Sequence, residues 1–115
     1  MEIQAVNEND VELVVTSRGN SKFLVSNKPS EGGSVMIRNW DAETNIPVHS
    51  HPFNEMFYVL EGEIEIGGNR YGTGTCIYIP RGVEYGPTLA PKGGRVLRYV
   101  ETREPGGDTK MYVAP

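Results

Sequence analysis

One cysteine, one tryptophan and two histidines are all that this chain of 115 residues holds of those types. The lone Cys76 cannot close an internal disulfide and fits a reducing compartment. Helix formers are scarce as well: Ala and Leu together number nine, against 35 residues of Val, Ile, Thr, Tyr and Phe. A helical bundle is thereby excluded, and 22 Gly and Pro residues favour many short strands and turns. Basic blocks are missing, with 11 Lys and Arg against 15 Asp and Glu and a net charge of -4, so nucleic acid and anionic membranes find no footprint. The longest apolar run, Met56 to Leu60, has five residues where a spanning helix needs about 20. The opening Met1-Glu2-Ile3-Gln4 has neither the basic nor the apolar part of a secretory leader. Together these absences predict a water-soluble cytoplasmic protein without nucleic-acid or membrane partners.

What is present reads as strands between Gly, Pro and Asn punctuation. The pattern predicts strands over Val11 to Thr16, Lys22 to Ser26, Ser34 to Trp40, a run entering at Pro47, and Glu55 to Leu60. Further strands are expected over Glu63 to Ile66, Thr75 to Ile79, Arg95 to Thr102 and Thr109 to Val113. Residues 27–33 read as a loop and Gly67-Gly68-Asn69-Arg70 as a hairpin turn. So many short strands predict a sandwich or barrel in one domain over 1–115, with N-terminal strands and loop in 1–33 and the barrel core in 34–115. Glu63-Ile64-Glu65-Ile66 alternates, which puts its charges in solvent. Glu55 to Leu60 is apolar on both faces, so one face packs inside and the other needs a cover. The N-terminal strand or a second subunit would serve, and a homodimer with 1–33 at its interface is the expectation.

Both histidines fall in Pro47-Val48-His49-Ser50-His51-Pro52. Side chains of a strand alternate with period two, so His49 and His51 leave the same face. Four residues on, Glu55 opens an apolar run, where a carboxylate is costly unless paired or coordinated. Two imidazoles and one carboxylate compose the facial set typical of non-haem Fe(II), and zinc, manganese or nickel accept the same donors. The alternative is a pair of exposed loop histidines. Glu61, Glu63 and Glu65 read as solvent-facing.

The pattern His49-x-His51-x-x-x-Glu55-x6-Gly62 resembles the first motif of the cupins, small double-stranded β-helix (jelly-roll) proteins. Gly74-x5-Pro80-Arg81-Gly82-Val83-Glu84-Tyr85 resembles the second motif at every fixed position except the last. The resemblance implies an all-β jelly-roll barrel and a metal held by His49, His51 and Glu55. It also marks departures: Tyr85 replaces the histidine that is the fourth ligand in cupins generally, Glu43 replaces a glycine and Leu89 an asparagine. Tyr85-Gly86-Pro87 is similar to a segment of small bacterial cupins that lack this histidine. Tyr85 could ligate as phenolate, hydrogen-bond a water or substrate as phenol, or fill the barrel mouth; the second role is preferred and makes Tyr85 the candidate catalytic residue.

Arg38 shares a strand face with Met36 and Trp40, and Phe57 shares parity with Glu55. Arg38, Trp40 and Phe57 are therefore candidate substrate contacts, against the alternative of a surface-paired Arg38 and a Trp40 that caps the barrel end. Tyr78, Tyr99 and Arg98 have no face that sequence can assign. Cys76 reads as a small core residue, since nothing nearby lowers its pKa. Without a third histidine, Ser-His-Asp or Cys-His nucleophilic chemistry is not expected. The functional expectation is a metal-dependent enzyme acting on a small organic molecule, with an Fe(II) dioxygenase ahead of an isomerase or lyase. Its rival is a non-enzymatic cupin that binds or senses a ligand, its metal structural or absent.

Overall fold

The computed structural model describes residues 3–26, 32–101 and 110–111, and nearly all of its regular structure is β. A three-residue 3-10 turn at Glu8–Asp10 precedes β1 (Val14–Thr16), β2 (Gly19–Val25), β3 (Ser34–Trp40), β4 (Thr44–Ile46) and β5 (His49–Ser50). Then follow β6 (Glu55–Ile66), β7 (Asn69–Gly72), β8 (Cys76–Ile79), β9 (Thr88–Ala90), β10 (Gly94–Val100) and β11 (Lys110–Met111). Thr102, Thr109 and residues 112–113 of the expected strands lie outside the described residues, as do 27–31 of the expected loop.

β6 organises the rest because it belongs to two sheets. Its first half pairs antiparallel with β10 and β8, and β10 leads on through β3 and β2 to the edge strand β1. Its second half pairs with β7 and β9, and β9 carries β4. The curled double sheet that results is a jelly-roll. Sequence reading splits this strand in two at Gly62; the structure keeps it whole and bends it. The register against β10 slips between Arg95 and Val96, the signature of a β-bulge. Gly62 sits at that bend with φ +82°, and a Cβ there would lie 3.0 Å from the Gly93 carbonyl, so only glycine is comfortable.

Alternation along each strand sorts the side chains. Trp40, Phe57, Val59, Ile64, Ile79, Ala90 and Val96 form the main core, and Met36, Phe53 and Val100 a second cluster. Burying each such large side chain contributes about 1.5–3 kcal/mol, which is what holds strands this short together. The outer face carries the other parity, and there the reading of Cys76 is corrected. Cys76 pairs with Tyr58 in register and is exposed, because it shares the outward face with Tyr78, not the inward one with Ile77 and Ile79. β1 extends the sheet edge through β2, so it does not cover the outer side of β6, where Tyr58 is 40% exposed. Among the described residues no helix is long and apolar enough to cross a membrane.

Candidate metal centre

The two sequence motifs meet through their backbones. His49 and Tyr85 exchange both main-chain hydrogen bonds, at 3.1 and 3.0 Å, forming an isolated antiparallel bridge. The Gly82 N–H donates to the His51 carbonyl at 2.8 Å, and the Arg81 N–H donates to Asn54 Oδ1 at 2.8 Å. The Pro80-Arg81-Gly82 turn is thus tied across the first motif. Gly86, at φ +117°, lets the second motif pass so close that a Cβ would lie 3.2 Å from Val48 Cα. That close passage sets the Tyr85 ring against His49, with centroids 4.4 Å apart.

Inside, His49, His51, Glu55 and Arg98 are all buried. The His49 Nδ1 lies 2.8 Å from the Pro47 carbonyl, which can only accept, so in the neutral ring Nδ1 carries the proton and Nε2 the lone pair. The His51 ring stands edge-on to His49 at 4.8 Å and stacks on Phe53 at 4.8 Å. Its Nε2 faces three groups: Tyr85 Oη at 3.3 Å, Arg98 Nη2 at 3.4 Å and Glu55 Oε1 at 3.7 Å. Burial pushes the His51 pKa down to about 4; the Glu55 charge opposes this and Arg98 reinforces it. The ring is therefore neutral at physiological pH, with one nitrogen free to act as an acceptor or ligand. Tyr85 is shifted the other way, its pKa raised first by burial, then by the Glu55 charge and by a hydrogen bond of its hydroxyl toward Glu55, so it stays a phenol. A phenolate ligand is disfavoured in this surrounding.

Arg98 defines the carboxylate. Its Nε and Nη2 both donate to Glu55 Oε2, at 2.8 and 2.7 Å, while its guanidinium carbon lies 5.7 Å from the Phe57 ring centroid. Glu55 Oε1 has no hydrogen-bond partner, although Glu55 is only 1% exposed. Only one other buried side-chain polar atom among the described residues shares that condition, the neutral Thr88 Oγ1. A sealed carboxylate oxygen 3.7 Å from an imidazole nitrogen is an arrangement that a shared proton or a cation would satisfy. Ligands on one ion with bonds of about 2.0–2.2 Å sit roughly 3 Å apart, so the pair at 3.7 Å needs only a small approach. As placed, no three His, Cys, Asp or Glu side chains among the described residues close into a ready-made cage. The donor chemistry nevertheless fits a divalent ion: His49 Nε2, His51 Nε2 and Glu55 Oε1 would hold it, with Pro47 and Arg98 orienting two of those ligands from behind.

The other candidates are placed as follows. Trp40 and Phe57 pack on one another in the core, their ring centroids 6.0 Å apart, and Phe57 supports Arg98. Arg38 turns inward and its Nη1 donates to Ser21 Oγ at 2.9 Å. A cavity of about 300 Å³ is lined by Tyr85 together with Ile66, Tyr71, Ile77, Ile79 and Glu84. Arg98 is the site residue that sequence reasoning missed. Its signal was parity: Val96, Arg98 and Val100 alternate, so an arginine on that buried face needs a carboxylate, and Glu55 in its apolar run needs a cation.

A jelly-roll whose two motifs bring His49, His51, Glu55 and Tyr85 together is a cupin. The chain belongs to the family of ChrR cupin-like domains, which it matches over residues 2–103. Its fold is similar to that of an RmlC-like cupin from Shewanella frigidimarina, 22% identical over 90% of this chain and 95% of that one, with a TM-score of 0.76. It is also similar to the polyketide cyclase RemF from Streptomyces resistomycificus, at 17% identity, 99% and 88% coverage and a TM-score of 0.79. An oxalate decarboxylase variant of Bacillus subtilis aligns at 13% identity over 96% of this chain and 33% of that one, with a TM-score of 0.69. No curated protein matches the sequence.

Proposed function

We propose that this protein is a small metal-dependent cupin enzyme in which His49, His51 and Glu55 hold one divalent ion and a small organic molecule binds in the barrel. The observation that carries this is the convergence of buried His49, His51 and Glu55, with Glu55 Oε1 sealed from solvent and 3.7 Å from His51 Nε2. Two imidazoles with one carboxylate favour Fe(II), with zinc, manganese and nickel as alternatives, and the ion when bound supplies Lewis-acid or dioxygen chemistry. That a polyketide cyclase and an oxalate decarboxylase share the fold supports an enzyme, without choosing between dioxygenase, isomerase and lyase.

The chain's own residues have definite tasks in this reading. Pro47 fixes the His49 tautomer, and Arg98 fixes the carboxylate so that Oε1 alone turns inward. Tyr85 keeps its proton and can donate it to a hydrogen bond at His51 or at a bound molecule. The surrounding Phe53, Phe57 and Ile79 keep bulk water away. A second reading, a cupin that binds or senses a ligand without turnover, is favoured by the neutral Tyr85 at the fourth position and by the hold of Arg98 on Oε2.

Tyr85→Phe tests the division of labour. Titrated after chelator treatment with Fe(II) under argon or with Zn(II), the wild type and the variant should each take up one equivalent with similar affinity. Activity on any substrate found should fall by about 10²–10⁴-fold in the variant, the loss typical of a proton-transfer group. Metal loss in Tyr85→Phe would instead make the phenol oxygen a ligand, and failure of both proteins to bind metal would leave the non-enzymatic reading.

A further inference from the structure

Tyr85 serves two neighbourhoods. Its hydroxyl lies 3.3 Å from His51 Nε2, and it also lines the cavity of about 300 Å³. The other walls come from the β6–β7 hairpin, through Ile66 and Tyr71, and from β8, through Ile77 and Ile79. The Gly67 N–H donates to the Pro87 carbonyl at 3.2 Å, which ties the hairpin turn to the second motif and holds two walls together without a ligand. Polarity is graded across this space. Asn69 and Glu84 are exposed at its rim, whereas Ile66, Tyr71, Ile77 and Tyr85 are half-buried against the main core and Ile79 is buried. An apolar interior under a few polar groups is the usual build of a small-molecule site.

Size and charge together select the occupant. An apolar cavity of about 150 Å³ suffices for benzene, so this one takes a substituted ring or two fused rings. Two tyrosine rings in the lining favour an aromatic guest over an aliphatic one of equal size. No Lys, Arg or His lines the cavity, and its one charged side chain, Glu84, joins no ion pair among the described residues. An anion entering here would lose its water, meet no cation and face a like charge. A cation would gain only an exposed pair with Glu84, worth about fivefold at most, and would have to shed water beside isoleucines. A hydroxyl on an aromatic ring donates to that carboxylate and has no charge to desolvate. We infer that this cavity binds a small uncharged aromatic alcohol of the phenol class, its ring against Ile66, Ile77, Tyr71 and Tyr85 and its hydroxyl donating to Glu84. This rests on the reading of a barrel that takes a small organic molecule and names the class of that molecule, but it requires no bound metal.

The test is a titration of the chelator-treated full-length protein, followed by the backbone amide signals of Ile66, Tyr71, Ile77 and Glu84 in nuclear magnetic resonance. Phenol and 2-naphthol should shift these signals saturably, the two-ring compound binding more tightly. Anisole has the same ring without the donor and should bind about three- to tenfold more weakly than phenol, the loss of one hydrogen bond to a charged group at an exposed position. Benzoate and 2-naphthoate should bind at least about tenfold more weakly than the matching alcohols, and benzylamine no more tightly than phenol. Glu84→Lys changes only an exposed side chain, so the fold persists, and 2-naphthoate should then bind more tightly than 2-naphthol. Ile77→Trp fills the cavity and should abolish the 2-naphthol shifts. No saturable shift with either alcohol, anisole or benzoate or benzylamine matching phenol, an unchanged preference in Glu84→Lys, or full 2-naphthol binding by a folded Ile77→Trp protein would each overturn the assignment. The same samples are then titrated with Zn(II). Zinc uptake without alcohol binding overturns this inference alone, and alcohol binding without zinc uptake overturns the His49/His51/Glu55 reading alone.

Discussion

Arg98→Met is expected to destabilise the metal-free protein by about 3–5 kcal/mol in urea unfolding, the cost of stranding one member of a buried ion pair. Arg98 is 4% exposed and Glu55 1%, and both guanidinium contacts fall on the single oxygen Oε2. With the arginine gone, the carboxylate has no cation and must protonate or pull in water. Glu55→Leu in the same background should recover most of that loss, because it removes the stranded charge and fills the space beside Phe57. Added Zn(II) should stabilise Arg98→Met more than it stabilises the wild type, since a cation next to Glu55 then supplies the missing charge. If Arg98→Met costs less than about 1 kcal/mol, a surface-like value, the pairing described here is not a structural contact.

His51→Ala is expected to weaken metal binding at least about 100-fold while the far-ultraviolet β signal persists. Losing even an orienting partner of a ligand typically costs 10–100-fold, and His51 supplies a donor atom itself. The fold should survive because the backbone contacts of this segment, Gly82 N–H to the His51 carbonyl and the His49–Tyr85 bridge, do not use the imidazole. The stacking on Phe53 is lost, a change of about 1–3 kcal/mol. Glu63→Ala is the control: Glu63 is exposed and paired only with Arg70 at 4.0 Å, so metal binding should not change. Unaltered affinity in His51→Ala would show that the ligands were chosen wrongly.

Much of the architecture was legible because it is written locally. Gly, Pro and Asn at the turns, strand formers between them and the i, i+2 histidines all act within a few residues. Ser34–Trp40 is accordingly a strand over the very residues expected. Features that depend on register were not legible. Gly62 looked like a terminator because glycine usually interrupts a strand; its pairing with Gly94 of β10, just before the register slip at Arg95 and Val96, carries the strand through it. Cys76 looked like core because a small apolar residue suits one, but its position opposite Tyr58 puts it outside. The pairing of Arg98 with Glu55 joins residues 43 positions apart, and each looked unexplained alone. His49, His51 and Glu55 were visible from spacing, whereas the orphaned oxygen that distinguishes one side of the carboxylate from the other needed coordinates.

The most direct measurement is the metal content of protein purified without chelators, read by elemental analysis and repeated after exchange into Fe(II), Mn(II), Ni(II) or Zn(II). One tightly held ion per chain, lost on His51→Ala, is the predicted result. A wild-type protein that stays substoichiometric with every one of these ions would contradict it.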